Sequence, residues 1–326
     1  PATDQRQTGG IRVKLRTRLF VMLLVASLGP LITFAVVSVS SFISNANQEV
    51  QQLNQTKLEV AKAEINGTIG RHFNTLHILA NQPAVRNYEL DKVKTILVDA
   101  VRYNPDLIIA LDDAEGQQVV KSNDDSLSHV ADREFFQQAM GGTDAYVSDI
   151  LVAKATGKLV VICSVPVRDM NGNIIGVLQA NINLDQFSSF VTELSQDGSN
   201  VYVLSRQGTV LAHPNLDYVQ NQEDFSVLAF VQDGLSGRNE TLETKNMQDE
   251  KVIVSHALNE LTGWLIVVET PVSMAMSSAN RLLIVAILMF FFVAACPPPS
   301  AFTFPNDLRN RCSIWLPSSA TSPTAI

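Results

Sequence analysis

The sequence predicts an α+β chain in which one long N-terminal helix is followed by two antiparallel-sheet modules, the whole flanked by two transmembrane helices. Three observations carry this reading. Apolar stretches at residues 19–39 and 282–296 bracket a polar segment of roughly 240 residues, far longer than a loop within a packed membrane bundle requires. A proline-free run over 44–80 repeats apolar residues at helical spacing. Beyond it, the pattern of strand, polar glycine turn and strand occurs twice.

The leader, residues 1–18, carries Arg6, Arg12, Lys14, Arg16 and Arg18 against Asp4 alone. Basic residues this close to an apolar span are retained in the cytoplasm, so the N-terminus is expected inside. The first transmembrane helix is assigned to 19–42. It holds no charge over 19–39, and about 20 apolar residues at 1.5 Å rise match a hydrocarbon core of ~30 Å. A cleaved signal peptide is the competing reading, but the run exceeds the ~7–15 residues of a signal h-region.

One crossing places residues 43–275 outside. There Leu58, Ile65, Ile69, Phe73, Leu76 and Ala80 fall on one helical face, which predicts a helix over 44–80 serving as a packing spine, a dimer contact, or both. Pro83 ends it, and a short amphipathic helix carries Val93, Ile96, Leu97 and Val101 before Asn104-Pro105. The first module then spans about 83–195. Residues 107–111, a turn at 112–116 and a return strand at 118–121 read as a hairpin. A helix opens at Asp132 and stops at Gly141-Gly142. Strands are expected at 147–152, 158–167 and 174–182, the last two joined through Asn171-Gly172, whose residues tolerate positive φ. A sheet of about five strands with helices on one side is the economical solution.

The second module spans about 196–272. Its hairpin, 201–204 and 209–213, mirrors the first, and 251–257 and 264–269 supply two further strands, as in an internal duplication that shares pattern rather than residues. The second transmembrane helix is assigned to 276–296. Residues 297–326 open on Pro297-Pro298-Pro299, are rich in Ser, Thr and Pro, and read as a disordered or aberrant tail in place of an output module.

Composition narrows the function classes. With 46% hydrophobic and 17% charged residues and a net charge of -8, the chain is neither a disordered tail nor a nucleic-acid binder. Of its three cysteines only Cys163 falls in the external segment, so no disulfide framework can form there and stability must come from burial. His72, His77, His129, His213 and His256 are scattered, without the helical pairing of a zinc hydrolase, and His213 reads as a structural strand end. There is no Cys-x-x-Cys pair, nucleophile elbow or phosphate loop. No cofactor, no metal and no catalysis are expected.

The run Asp132-Arg133-Glu134-Phe135-Phe136, then Tyr146-Val147-Ser148-Asp149, Thr156-Gly157-Lys158, Val165-Pro166-Val167, Asn171-Gly172 and Gly176-Val177-Leu178 resembles the double Cache (dCache) sensor domain. Gly208-Thr209-Val210, Ala212-His213-Pro214, Gly263-Trp264 and Pro271 are similar to its membrane-proximal half, so the resemblance covers about 40–295. It implies two PAS-like modules behind a long helix, with ligand capture in the membrane-distal one. Its commonest bearers are methyl-accepting chemotaxis proteins, and sensor histidine kinases and diguanylate cyclases also carry it.

The resemblance also implies a site. Arg133 matches the arginine that holds a ligand carboxylate, which a guanidinium grips bidentately. Phe135 and Phe136 stand at the positions of an aromatic wall, Tyr146 matches a downstream tyrosine, Ser148 and Asp149 fall at one acid position, and Asn181 at the other. An amide cannot supply the ion pair that a buried ammonium needs, so the expected partner is a small organic ligand, an amino acid or a carboxylate, with a carboxylate or related anion lacking the ammonium preferred. Read without the resemblance, Arg133 is a salt-bridge partner of Asp132 or Asp149, the aromatic residues are core, Asp149 caps or pairs with Lys154, and Asn181 is an ordinary strand residue. The expected whole is the input half of a two-pass bacterial inner-membrane receptor, homodimeric through its long helix and transmembrane segments. The rivals are the input half of a cyclase or kinase, and a tethered structural ectodomain.

Overall fold

The computed structural model describes residues 15–103, 107–275, 284, 285, 287 and 288. The chain divides into a unit of residues 1–39 with 278–326 and a compact unit Ser40–Ser277. Helix α1 runs Leu15–Ala80 with Pro30 inside it. Among the described residues no helix is long and apolar enough to cross a membrane. About half of the side chains of the 19–39 stretch, most of the basic leader, the second apolar stretch apart from four residues, and the 297–326 tail lie outside the described residues.

Within Ser40–Ser277, α1 buries Leu58, Ala61, Ile65, Ile69, Phe73 and Leu76, the expected stripe with Ala61 added. It ends in a turn at Asn81-Gln82, and Pro83 then opens rather than follows a helix: α2 (Pro83–Arg86) has proline in its first turn, where a missing N–H costs nothing. Helix α3 (Leu90–Val101) buries Val93 and Leu97. The first sheet comprises β1 (Ile108–Asp113), β2 (Gln118–Lys121), β3 (Tyr146–Val147), β4 (Leu151–Val152), β5 (Leu159–Arg168) and β6 (Ile174–Asn183), with α4 (Glu134–Met140) inserted after β2. Its order is β2-β1-β6-β5-β3, with β4 also on β5.

Two expectations are corrected here. The strand expected at 147–152 is two short ones, because Ser148 Oγ accepts the Ile162 N–H that a continuous ladder would use otherwise. Nor do helices cover one side only. Alternate residues of β5 and β6, such as Val161, Cys163, Leu178 and Ile182, pack into the core shared with α1. Val160, Ile162 and Val177 point the other way, onto Phe135, Phe136 and Ala139 of α4.

After α5 (Asp185–Leu194) come β7 (Asn200–Leu204), β8 (Val210–Ala212), α6 (Leu216–Gln220), α7 (Ala229–Leu235), β9 (Glu240–Lys245), β10 (Lys251–Leu258), β11 (Leu265–Pro271) and α8 (Val272–Ala275). The second sheet is ordered β8-β7-β11-β10-β9, the same path as the first. The three helices α5, α6 and α7 and the strand β9 escaped sequence reading. β9 is an edge strand of charged and threonine residues with little apolar alternation.

The duplication extends to single residues. Gly116 (φ 83°) accepts Val130 N–H on its carbonyl, and Gly208 (φ 89°) accepts Phe225 N–H in the same way. A Cβ on either would strike the residue after that partner, Ala131 or Ser226, so both turns require glycine. Three residues beyond each partner sits a helix N-cap, Arg133 for α4 and Leu228 for α7.

Candidate ligand-binding site

A cavity of ≈ 320 Å³ opens on the face of the first sheet away from α1. Strand parity builds its floor. With Leu178, Ala180 and Ile182 turned to the core, Gln179, Asn181 and Asn183 of β6 must face the cavity, and Ile108 joins them from β1. Strand β2 adds both Gln118 and Lys121, which alternation alone would put on opposite faces. A bulge opposite Leu111/Asp112 turns them to the same side. The roof is Phe135 of α4, the N-cap Arg133, and residues 151–156 with Lys158 from the β4–β5 turn.

The polar groups differ in how far they are already satisfied. Gln179 Nε2 donates to both carboxylate oxygens of Asp112, at 3.0 and 2.9 Å. Asp112 is fully buried beside Gln179, outside the cavity lining, and burial pushes its carboxyl well above the ordinary range despite those donors and Lys121 nearby. Lys121 donates to the Ser126 carbonyl at 2.6 Å, and burial lowers its pKa. Lys154 is spent on Asp132 (2.6 Å) and the His129 carbonyl (2.7 Å). Among the described residues Arg133 makes only a long bond to the Val152 carbonyl at 3.4 Å and a 3.9 Å approach to Asp132. Its fork is largely uncommitted. Asn181 Oδ1 is buried and accepts no hydrogen bond among the described residues, a condition that costs ~1–3 kcal/mol unless another group pairs it.

The cavity is therefore lined by four basic side chains, Lys121, Arg133, Lys154 and Lys158, against Asp125 alone. Asp125 is itself held by Asn123 Nδ2 at 2.8 Å. Among the described residues no cluster of His, Cys, Asp and Glu could hold a metal ion.

Of the residues singled out in the sequence, Arg133, Phe135 and Asn181 line the cavity, and Phe136, Tyr146, Ser148 and Asp149 do not. Phe136 is buried in the cluster beneath α4. Ser148 donates to the Asp149 carbonyl at 2.7 Å and bridges the β3–β4 break. Tyr146 and Asp149 instead meet Arg206 of the β7–β8 turn, so Asp149 pairs with neither Arg133 nor Lys154. Arg206 Nη2 also donates to the Val147 carbonyl at 2.9 Å. Burial raises the Tyr146 hydroxyl to about 12.

Residues 38–279, about three quarters of the chain, match the family model described as Cache domain. The chain belongs to the Cache domain family. It is a double Cache sensor domain of the type chemotaxis receptors carry, and such domains are sensory rather than catalytic. An 84-residue segment is 31% identical to the methyl-accepting chemotaxis protein PscA of Pseudomonas syringae pv. tomato; it covers 26% of this chain and 13% of that protein.

Solved structures share the Cache fold. The ligand-binding domain of the Campylobacter jejuni chemoreceptor Tlp3 in complex with L-valine superposes with a TM-score of 0.58 at 13% identity, over 72% of this chain and 97% of that one. The ligand-binding domain of Mlp24 with asparagine gives 0.54 at 19% identity, over 72% and 99%. The extracellular domain of the putative histidine kinase rpHK1S-Z16 gives 0.57 at 17% identity, over 70% and 96%.

Sequence reading missed Lys121, Gln179, Asn183, Lys154 and Lys158 of this Cache cavity. The β6 pair was available, since Gln179, Asn181 and Asn183 alternate with core residues. Lys121 was not, because its orientation depends on the bulge.

Proposed function

We propose that this Cache domain is the extracytoplasmic input half of a two-pass membrane receptor of the chemotaxis type, and that its first module, about 83–195, binds a small organic carboxylate. The observation that carries the ligand class is the excess of four basic side chains over one carboxylate around a cavity whose arginine is nearly unspent. A guanidinium fork and a desolvated lysine favour an anionic oxygen pair. Relatives crystallised with L-valine, isoleucine or asparagine share a carboxylate in their ligands. What an amino acid adds is an ammonium, and here Asn181 offers it an amide oxygen without charge. Membrane insertion rests on the apolar stretches at 19–39 and 282–296 and the basic leader. Dimerisation would use the outward face of α1, where Leu53, Val60 and Ile78 stay exposed.

Calorimetry on the full chain, with a panel of mono- and dicarboxylates and amino acids, tests the ligand class. Carboxylate binding lost by at least tenfold in Arg133→Ala supports it. Amino-acid binding that is tighter than any carboxylate and survives Arg133→Ala overturns both the ligand class and the role of Arg133. Histidine kinase output is the second reading, favoured by the fold match to rpHK1S-Z16; the reading frame beyond the second apolar stretch separates the two.

A further inference from the structure

A second cavity, ≈ 420 Å³, lies in the second module on the corresponding face of its sheet. The equal strand order and matched bulges relate the two residue by residue. Ala110 pairs with Lys121 and Leu111 with Val120 in the first hairpin, where Val203 pairs with Ala212 in the second, so Lys121 corresponds to His213. Ile108 faces Asn181 across β1 and β6, and Asn200 faces Glu269 across β7 and β11, so Asn181 corresponds to Glu269. The N-cap Arg133 corresponds to Leu228.

Each exchange moves charge in one direction. The first cavity has a lysine where the second has a histidine and an amide where the second has a carboxyl, while Leu228, at the N-cap position of Arg133, packs against the core and brings no charge to the second cavity. Among the described residues the second cavity is lined by Glu250 and Glu269 and by no lysine or arginine. His213 is held neutral, its Nδ1 accepting the Asn215 N–H at 2.8 Å and its pKa lowered to about 4 by burial. Aromatic rings complete the wall. His213 and Tyr218 meet edge to face at 4.8 Å between centroids, and Tyr218 and Phe225 at 5.5 Å. Glu269 is 4% exposed; Oε1 accepts from Asn200 (3.0 Å) and Asn246 (3.4 Å), and Oε2 from Tyr202 (3.2 Å). Two oxygens offer about four lone-pair sites, so acceptor capacity remains on Oε2.

We infer that the second module holds a separate site for a small organic cation, an amine without a carboxylate, gripped by Glu269 and Glu250 against the faces of Tyr218 and Phe225. A carboxylate with an unused lone pair supplies the charge-assisted bond, and the ring faces add cation–π attraction where water is excluded. The two cavities would then divide the poles of an amino acid between them, the first selecting the anionic and the second the cationic group.

The test is calorimetry and thermal shift on the full chain with ethylammonium, putrescine and choline chlorides, and sodium acetate as the anionic control. Expected is saturable binding of at least one cation, weakened tenfold or more by Glu269→Gln and unaffected by Arg133→Ala. If Glu269→Gln does not fold, Glu250→Gln and Met247→Trp serve. Both lie on an exposed hairpin at the rim, one removing charge and the other filling the cavity, and each should weaken binding at least threefold. Absence of binding by all three cations overturns the inference. So does cation binding that Arg133→Ala abolishes, or that Glu250→Gln and Met247→Trp leave unchanged.

Discussion

The guanidinium of Arg206 stands 5.4 Å from the ring centroid of Tyr146. The same group approaches Asp149 at 3.6 Å and bonds the Val147 carbonyl, so one side chain of the second module grips the interrupted edge of the first. Strand β4, two residues past Asp149, leads directly into the turn that roofs the first cavity. This contact is a physical route by which that turn and the second module influence each other.

Arg206→Ala should therefore lower stability by about 1–2 kcal/mol, the worth of a half-buried charged hydrogen bond and a cation–π contact discounted for partial exposure. Arg206→Lys should restore little, since a point charge cannot serve carbonyl, carboxylate and ring together. Urea denaturation gives the first value. Hydrogen exchange at Leu151 and Val152 should quicken in both variants, while carboxylate affinity changes by less than about threefold. Unaltered exchange at β4 would show that the seam does not reach the roof.

Asn181→Asp tests what the unpaired amide oxygen does. A carboxylate there would meet an ammonium with charge, and it would also repel the carboxylate that Arg133 attracts. Titration calorimetry should show simple carboxylates weakened about tenfold and amino acids strengthened by a similar factor. If both ligand types move the same way, Asn181 does not face the bound ligand's amino pole.

What the sequence disclosed follows physical lines. The α1 stripe, the β5 and β6 ladders and both hairpins show because apolar period and glycine turns are local. Arg133 showed because an arginine before two phenylalanines has a recognisable neighbourhood. The family resemblance assigns Tyr146, Ser148 and Asp149 to the ligand; in the structure Ser148 bridges the β3–β4 break, and Tyr146 and Asp149 meet Arg206, about 60 residues on, a contact that no local pattern discloses. Lys121 depends on a bulge, and the second cavity on the register of β7 with β11. Neither leaves a local mark.

Acid stability should reflect two opposed groups. The folded pKa of His213 is about 4 against an ordinary 6.5, so its contribution is fully present above pH 6.5 and is lost as pH falls towards 4. Asp112 acts in reverse. Its folded pKa is raised, so its burial penalty is absent below the ordinary carboxyl pKa of 3.8 and grows as pH climbs from there through the folded value. Between pH 7.5 and 4.5, His213 alone should cost roughly 2–3 kcal/mol. Urea titrations at both pH values should show a smaller drop than wild type in His213→Phe and a larger drop in Asp112→Asn.

Lys57 and Asp197 tie α1 to the start of the second sheet, and their unequal exposure predicts unequal costs. Lys57 Nζ donates to the Leu194 carbonyl (2.8 Å), Asp197 Oδ1 (2.6 Å) and Ser199 Oγ (2.6 Å), with 11% of its side chain exposed against 42% for Asp197. Burial works against the Asp197 charge, but the bonds from Lys57 and Ser199 outweigh it and hold the pKa below the usual range. Lys57→Met removes a buried charge and leaves an aspartate that water can reach, so the loss should be about 1–2 kcal/mol. Asp197→Ala strands a buried ammonium on two neutral acceptors and should cost more, about 2–4 kcal/mol. The double variant should lie nearer Lys57→Met than the sum, because once the ammonium is gone its unpaired state carries no penalty. Chemical denaturation of the three variants decides, and additivity of the two single losses would mean the ion pair contributes nothing to fastening α1.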